Sequence, residues 1–367
     1  TIPFIHKKLS KYIFIGQRLY HLIGGAGGSG KSAWVDLNYA INPAIWMAKY
    51  GQQEDIKLKI ILRSMERSKK HRIAKWVCMR LYIDHGILID VPSLFGWGLK
   101  KNYISDELYE KIRGAVEQTE QLEDIIEVVD GIDHPTGIYT HLRKEALSKG
   151  TLFRYTDEDV FVKQRGSSIS KAEKAECPRA SKYEPIYIPD NEREVTIFIV
   201  DHLQALKRER GFSDKENLDK MSEYSRVLRD LYGFSPVMVS QLNRGVSDTM
   251  RRVKTDLLPE DKDFSGSSNL YNDCDMAAIL FNPYKYGMKD LEKWRINDLI
   301  DKKYGINRFR SYHLLKNTYG PDNVIFGYNF IGENGMYKEL KSPSDMQPQD
   351  YQNSAYPKFN KRITGYE

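Results

Sequence analysis

Eight consecutive residues, Gly25-Ala26-Gly27-Gly28-Ser29-Gly30-Lys31-Ser32, spell G-x-x-x-x-G-K-[ST], the spacing of a loop that wraps phosphate groups. Glycines let successive backbone N–H groups turn inward on an anion, and the N-terminus of a following helix adds its positive end. Gly25, Gly28, Ser29 and Gly30 would form the cradle. Lys31 would reach the β- and γ-phosphates, and the Ser32 hydroxyl would sit on magnesium. The bland alternative is a glycine-rich turn that happens to carry Lys-Ser. The flanks decide against it, because an apolar run (residues 18–24) precedes the loop and an apolar helical pattern (from Lys31 to Gly51) follows it.

Four further positions can do chemistry beside such a loop. Asp201 ends the run Ile197-Phe198-Ile199-Val200, a buried parallel strand whose C-terminal edge is where open α/β sheets bind ligands. A carboxylate there can hold magnesium, commonly through water. Glu66 follows the strand pattern at 57–65 and is the candidate general base for an attacking water; capping the following helix is a compatible second role. Gln241 closes another apolar run, SPVMVSQL at 235–242, and is either a γ-phosphate sensor or an ordinary strand-terminal amide. Arg244, Arg251, Arg252 and Lys254 cluster in the polar stretch that follows. Clustered cations on a loop suit sequence-blind contacts to a single-stranded phosphate backbone, although Asp256, Glu260, Asp261 and Asp263 dilute the charge. The eight histidines show no metal-ligand spacing, and His134, His141 and His202 read as surface or edge residues.

The elements that position these groups follow from the hydropathy pattern. Strand, glycine loop, helix, strand (57–65) and basic helix (66–83) open a parallel α/β sheet. Residues 86–150 read as mostly helical, and the lysine-rich segment 164–185 as a mobile surface excursion. Strands are expected at 195–203, 235–242 and 276–283, with a closing pair at about 310–318 and 323–332. From residue 342 the chain carries Pro, Gln, Asn and Tyr without periodicity, as an extended or disordered arm does. The expected organisation is one ATPase domain over 1–341, with an inserted excursion at about 86–190, and an arm over 342–367.

Composition sets outer limits. With 41% apolar and 29% charged residues the chain can build a real core, and no apolar run reaches the length that spans a bilayer. The N-terminal stretch lacks the apolar region of a signal peptide. It opens on Thr1 rather than Met, as a processed or trimmed chain does. Cys78, Cys177 and Cys274 are odd in number and far apart, which suits a reducing compartment, the cytoplasm. A net charge of +6 accommodates nucleic acid without requiring it.

Taken in order, GGAGGSGKS (24–32), SMERS (64–68), IFIVDHLQAL (197–206), VSQLNR (239–244), SGSSNLYNDCDMAAILF (265–281) and KNTYGPDNVIFGYNF (316–330) resemble the RecA-like ATPase domain of DnaB-family replicative helicases, in particular phage members. The resemblance implies an α/β P-loop NTPase with a mainly parallel central sheet flanked by helices. It implies ATP and Mg2+ as cofactors, and a ring, usually a hexamer, with nucleotide between subunits. Single-stranded DNA would thread that ring and be translocated 5′ to 3′. Primase or a loader protein is an implied partner, and the host cytoplasm the implied location of a phage protein. By the same resemblance Lys31 and Ser32 hold the Mg-triphosphate, Asp201 the metal, Glu66 activates water and Gln241 couples hydrolysis to DNA-binding loops.

Two positions depart from that family pattern. The closing hairpin usually carries Lys-x-Arg, whose arginine enters the neighbouring subunit's site; here it reads Lys316-Asn317-Thr318. Lys316, Arg308 and Arg310 are the remaining candidates for a trans-acting finger, a group worth about 10³–10⁵ in rate where it has been measured. Asn272 stands where the family has glutamine. Alternative readings are a RecA/RadA-like recombinase or packaging-type ATPase, and a helicase-like ATP-binding structural or regulatory subunit with weak hydrolysis.

Overall fold

The computed structural model describes residues 1–65, 68–97, 104–243, 257–266, 268–302 and 304–363. Its strands are β1 (His21–Gly25), β2 (Lys57–Ser64), β3 (Ile87–Ile89), β4 (Ile126–Val129), β5 (Gly150–Tyr155), β6 (Phe161–Arg165), β7 (Ser168–Lys171), β8 (Ile186–Pro189), β9 (Glu194–Asp201), β10 (Ser235–Gln241) and β11 (Met276–Phe281). After two short ladders of two-residue strands come β12 (Phe309–Asn317), β13 (Val324–Ile331), β14 (Met336–Glu339) and β15 (Lys361–Ile363). The helices used below are α1 (Lys31–Val35), α2 (Asn42–Glu54), α3 (Lys69–His85), α4 (Asp106–Glu120), α5 (Pro135–Ser148), α6 (Asp214–Asp230), α7 (Ser268–Asp273) and α8 (Pro348–Ala355).

Nine strands form one sheet in the order β14-β13-β12-β11-β1-β10-β9-β2-β4. The six from β11 to β4 run parallel, and β12 to β14 add an antiparallel edge. Strands covered on both faces are apolar throughout, and the pleat sends alternate residues to opposite sides. Ile23, Ile60, Leu62, Ile197, Ile199, Val237 and Val239 join one core with Trp34 and Met79 from the helices. Leu22, Ile61, Phe198, Val200 and Met238 join the other, with Leu142 of α5 and Met221 of α6. The result is a three-layer sandwich whose central strands end along one edge: Asp201 pairs with Ser64 and Val239, and Gly25 with Gln241 and Leu280.

Local signals start and stop the covering helices. Ser68 and Ser105 cap α3 and α4 by accepting from His71 and Leu108 N–H, and Ser213 with Glu216 forms a capping box on α6. The helix from the phosphate loop passes through a π-helical segment, Asp36–Ile41, and runs on to Glu54, so Gly51 lies inside it and does not end it.

Three expectations are corrected. The stretch 86–150 is not only helical: IEVV at 126–129 is β4, the sheet's outer parallel strand, because after Leu122 closes a 3₁₀ turn the chain pairs with β2. The lysine-rich segment 164–185 belongs to a folded four-stranded antiparallel sheet, β7-β6-β5-β8, with Phe153, Cys177 and Ala180 as its small core. The region after 342 is anchored too. Tyr351 and Ala355 of α8 are buried, Tyr351 against a cluster with Trp294, Phe309 and Leu340, and β15 adds to β3 in parallel. The three cysteines are free and buried. No described helix is long and apolar enough to cross a membrane.

Candidate nucleotide site

The phosphate loop connects β1 to α1 as its glycines require. Gly28 (φ 78°) and Gly30 (φ 90°) hold left-handed backbone, and Gly30 is the residue that caps α1. A Cβ on Gly27 or Gly28 would meet nothing, so the loop's lip is open, whereas one on Gly30 would run into Phe330 and the Tyr337 hydroxyl. Tyr337 stacks on Phe330 at 4.5 Å between ring centroids and donates from its hydroxyl to the Ser29 carbonyl at 3.1 Å. The antiparallel edge therefore braces the loop from behind. From the other side Lys285, in the turn after β11, donates to the Gly27 carbonyl at 3.2 Å. The Lys31 side chain is buried.

Ser32 and Asp201, 169 residues apart, meet here: the Ser32 hydroxyl donates to Asp201 Oδ1 at 3.2 Å. The other carboxylate oxygen, Oδ2, accepts from Arg72 at 2.6 Å, and Arg72 Nε donates to Asp36 Oδ1 at 2.7 Å. All three charged side chains are buried. Burial pushes the Asp36 carboxyl above the usual carboxylate range, with Arg72 pulling against it. Burial also works against the Arg72 charge, but Asp36 and Asp201 outweigh it and hold the guanidinium above its ordinary value. A hydroxyl beside a carboxylate oxygen is the hard oxygen donor set that suits Mg2+, which keeps most of its waters and takes the rest of its shell from phosphates. The residues present fit that ion.

Gln241 sits at the end of β10 within a polar cluster. Its side-chain nitrogen is 2.9 Å from His202 Nε2, its backbone N–H donates to Gln204 Oε1 at 2.8 Å, and its carbonyl accepts from Ser265 N–H. Gln204 in turn donates to Ser240 Oγ at 2.9 Å and to the Ser265 carbonyl at 3.3 Å. This cluster ties the strand ends to the segment at 257–266, where Leu242 bridges Phe264. His202 is thus a buried partner of Gln241 and not the surface or edge residue expected. His134 caps α5, its Nδ1 accepting from Gly137 N–H at 3.1 Å.

Of the other expected site residues, Glu66 lies outside the described residues; β2 delivers the chain toward it and ends at Ser64, opposite Asp201. Arg244, Arg251, Arg252 and Lys254 also lie outside them. The finger candidates are engaged within their own chain. Arg308 is buried in a two-pronged pair with Glu333 at 2.8 and 2.9 Å. Arg310 is buried over the Phe330 ring, donating to the Asn307 and Phe309 carbonyls, and burial lowers its pKa. Lys316 donates to the carbonyls of Tyr271 and Asn272 at 2.9 Å, and Thr318 donates through N–H and hydroxyl to the Asp275 carbonyl. Sequence reasoning missed Asp36, Arg72 and Gln204. The readable signal was a charged residue on an otherwise apolar helical stretch, AWVDLNYAI for Asp36 and RIAKWVCM for Arg72.

A phosphate loop on β1, an acid on the next-but-one strand and an amide between them, on one edge of a parallel sheet, define a RecA-like P-loop nucleotide-binding fold. Within that class the chain has the fold of DnaB-like helicase ATPase domains. It is similar to a solved ATPase domain of nearly its own length, with 16% identity and a TM-score of 0.60 over 93% of this chain and 91% of that one. It is also similar to a DnaB-like replicative helicase described together with its interactions with primase, with 17% identity and a TM-score of 0.61. That match covers 93% of this chain and 62% of the helicase, so the chain spans about three fifths of its length. No protein-family model and no curated protein matches the chain.

Proposed function

We propose that the chain is an ATP-driven motor on single-stranded DNA, a replicative helicase ATPase that works as a ring with nucleotide between subunits. The observation that carries this reading is the meeting of Ser32 and Asp201 at the mouth of an open phosphate loop, with Gln241 one strand away. Lys31 and the loop N–H groups bind and orient the triphosphate, and Ser32 with Asp201 would hold Mg2+, which neutralises phosphate charge when bound. Glu66 takes a proton from the attacking water. Gln241, bonded to His202 and Gln204, passes the change at the γ-phosphate to the residues beyond Asn243, whose Arg244, Arg251, Arg252 and Lys254 grip the DNA backbone. Likeness to the two ATPase folds supports the motor, its ring and a primase partner, and the cluster of cations in the sequence after Asn243 supports the single strand.

A second reading has its own support: Arg308 and Arg310 are buried and bonded internally, and the hairpin position that would carry a finger is Thr318. In that reading the chain binds ATP and turns over only when a partner supplies a cation. Steady-state ATP hydrolysis with and without single-stranded DNA separates the two. The motor requires DNA-stimulated turnover that falls about 10²–10⁴-fold in Glu66→Gln and disappears in Lys31→Ala. Tight ATP binding with no turnover in either condition would replace it with the partner-activated reading.

A further inference from the structure

The phosphate-loop helix, α3 and β9 are joined at one buried point, of whose three groups the proposed chemistry uses only Asp201. Asp36, the first residue of the π-helical segment, Arg72, one turn into α3, and Asp201 form a chain of two charge-assisted bonds at 2.7 and 2.6 Å. Their side chains are 3–6% exposed. A lone guanidinium between two carboxylates leaves one net negative charge. Such an arrangement is a weak stabiliser, since three groups must be stripped of water to form it. Its geometry does something more specific. Arg72 occupies Oδ2 of Asp201, while Oδ1 is turned to the Ser32 hydroxyl. The same helix is capped by Ser68, two residues past Glu66 in sequence, so Arg72 also fixes the start of α3 relative to the acid at the end of β9.

We propose that Arg72 is a positioning residue for the metal-holding carboxylate: it leaves Asp201 a single oxygen, the one facing Ser32, for a cation and halves its local charge, so that a divalent cation enters with the triphosphate and binds poorly by itself. Asp36 sets the strength of this restraint by sharing the guanidinium. This rests on the nucleotide-site reading and adds to it an order of assembly. A small hydrated cation such as Mg2+ gives up water only for a sufficient set of anionic oxygens, and one restrained carboxylate oxygen does not supply it until the phosphates arrive.

The test uses Mn2+ as the probe, titrated by electron paramagnetic resonance into the full chain with and without ATP, on wild type and two variants. In Asp36→Asn, Asp201 is the one charged partner left to Arg72 in this cluster, and Mn2+ binding without nucleotide weakens severalfold. In the double variant Asp36→Asn/Arg72→Met the net charge of the cluster equals that of wild type, yet Asp201 Oδ2 is released and both carboxylate oxygens can face a cation. There Mn2+ alone binds at least tenfold tighter, and the mutual enhancement between Mn2+ and ATP shrinks by the same factor. A purely structural role predicts no such reversal of sign. Equal Mn2+ affinity in wild type and in whichever variants retain the wild-type circular-dichroism spectrum overturns the assignment of Arg72. Failure of wild type to bind ATP with or without Mn2+ overturns the nucleotide site itself, a separate result read in the same titration.

Discussion

Gly30 carries two constraints at once: a backbone φ of 90° and the stacked pair Phe330–Tyr337 where a Cβ would stand. Left-handed backbone alone costs a non-glycine residue about 1–2 kcal/mol, and the clash adds to it. Gly30→Ala is therefore expected to lower the unfolding free energy by more than about 2 kcal/mol and to weaken ATP binding at least tenfold, measured by denaturant titration and by fluorescent-nucleotide binding. Gly28→Ala meets open space and bears only the backbone cost. The residues of this site that could be read from sequence were those whose role is written locally, as Lys31 and Ser32 are by the glycine spacing. Asp201 too could be read, from the apolar strand before it. For Asp36 and Arg72 the sequence marks a charge on an apolar helix but not its partner, and Gln204 is not marked: their partners stand 36 to 129 positions away and only the closed sheet brings them together.

Glu209, in the turn between β9 and α6, shows how elements are fastened around the site. It accepts from Thr136 N–H and hydroxyl at the start of α5 and from Lys220 of α6. Burial opposes its charge, but these donors outweigh that and bring its pKa down to about 2. A carboxylate with a lowered folded-state pKa stabilises the fold above its unfolded value and loses that contribution as pH falls through the folded one. Wild type minus Glu209→Gln stability should thus be constant above about pH 5 and shrink toward zero between about pH 4.5 and 2, followed by urea unfolding across pH. On the other face Trp34 is fully buried among His6, Tyr312, Tyr328 and Tyr337. Trp34→Ala should cost about 3–5 kcal/mol, measured in the same assay. Elements with a strong apolar period were legible: β2, β9, β10, β11 and α3 fall within a few residues of expectation. The segment at 164–185 was not, because β7 is wholly exposed and a strand without a buried face leaves no alternation to read. β4 was hidden because it is four residues long and follows α4 after a single 3₁₀ turn, with no Gly or Pro to mark the change.

At the scale of the molecule, the region after 342 closes a satellite core. Removing it would bare Trp294, Phe309 and Leu340, which α8 covers with Tyr351. Truncation after Lys341 should lower the melting temperature by several degrees, as a loss of a few kcal/mol does in a domain of this size, and should raise binding of a hydrophobic dye. In the single chain this region lies on its own domain, with Asn329 donating to the Ser354 carbonyl at 2.7 Å and Asn360 to the His85 carbonyl at 2.7 Å. Fold class was legible because loop, strands and acid occur in an order that a parallel sheet makes spatially convergent.

The brace on the phosphate loop has a consequence for how the chain is made. Tyr337 trails Ser29 by 308 positions, and Glu339, which receives the backbone N–H groups of Lys8 and Leu9, trails them by 331 and 330. At about 5–20 residues per second a ribosome delivers the loop about 15–60 s before the strand that supports it. Throughout that interval the glycines are on the nascent chain without their aromatic backing. Affinity for nucleotide is then among the last properties acquired, and a chain stalled before residue 337 carries the whole motif yet lacks the wall behind it.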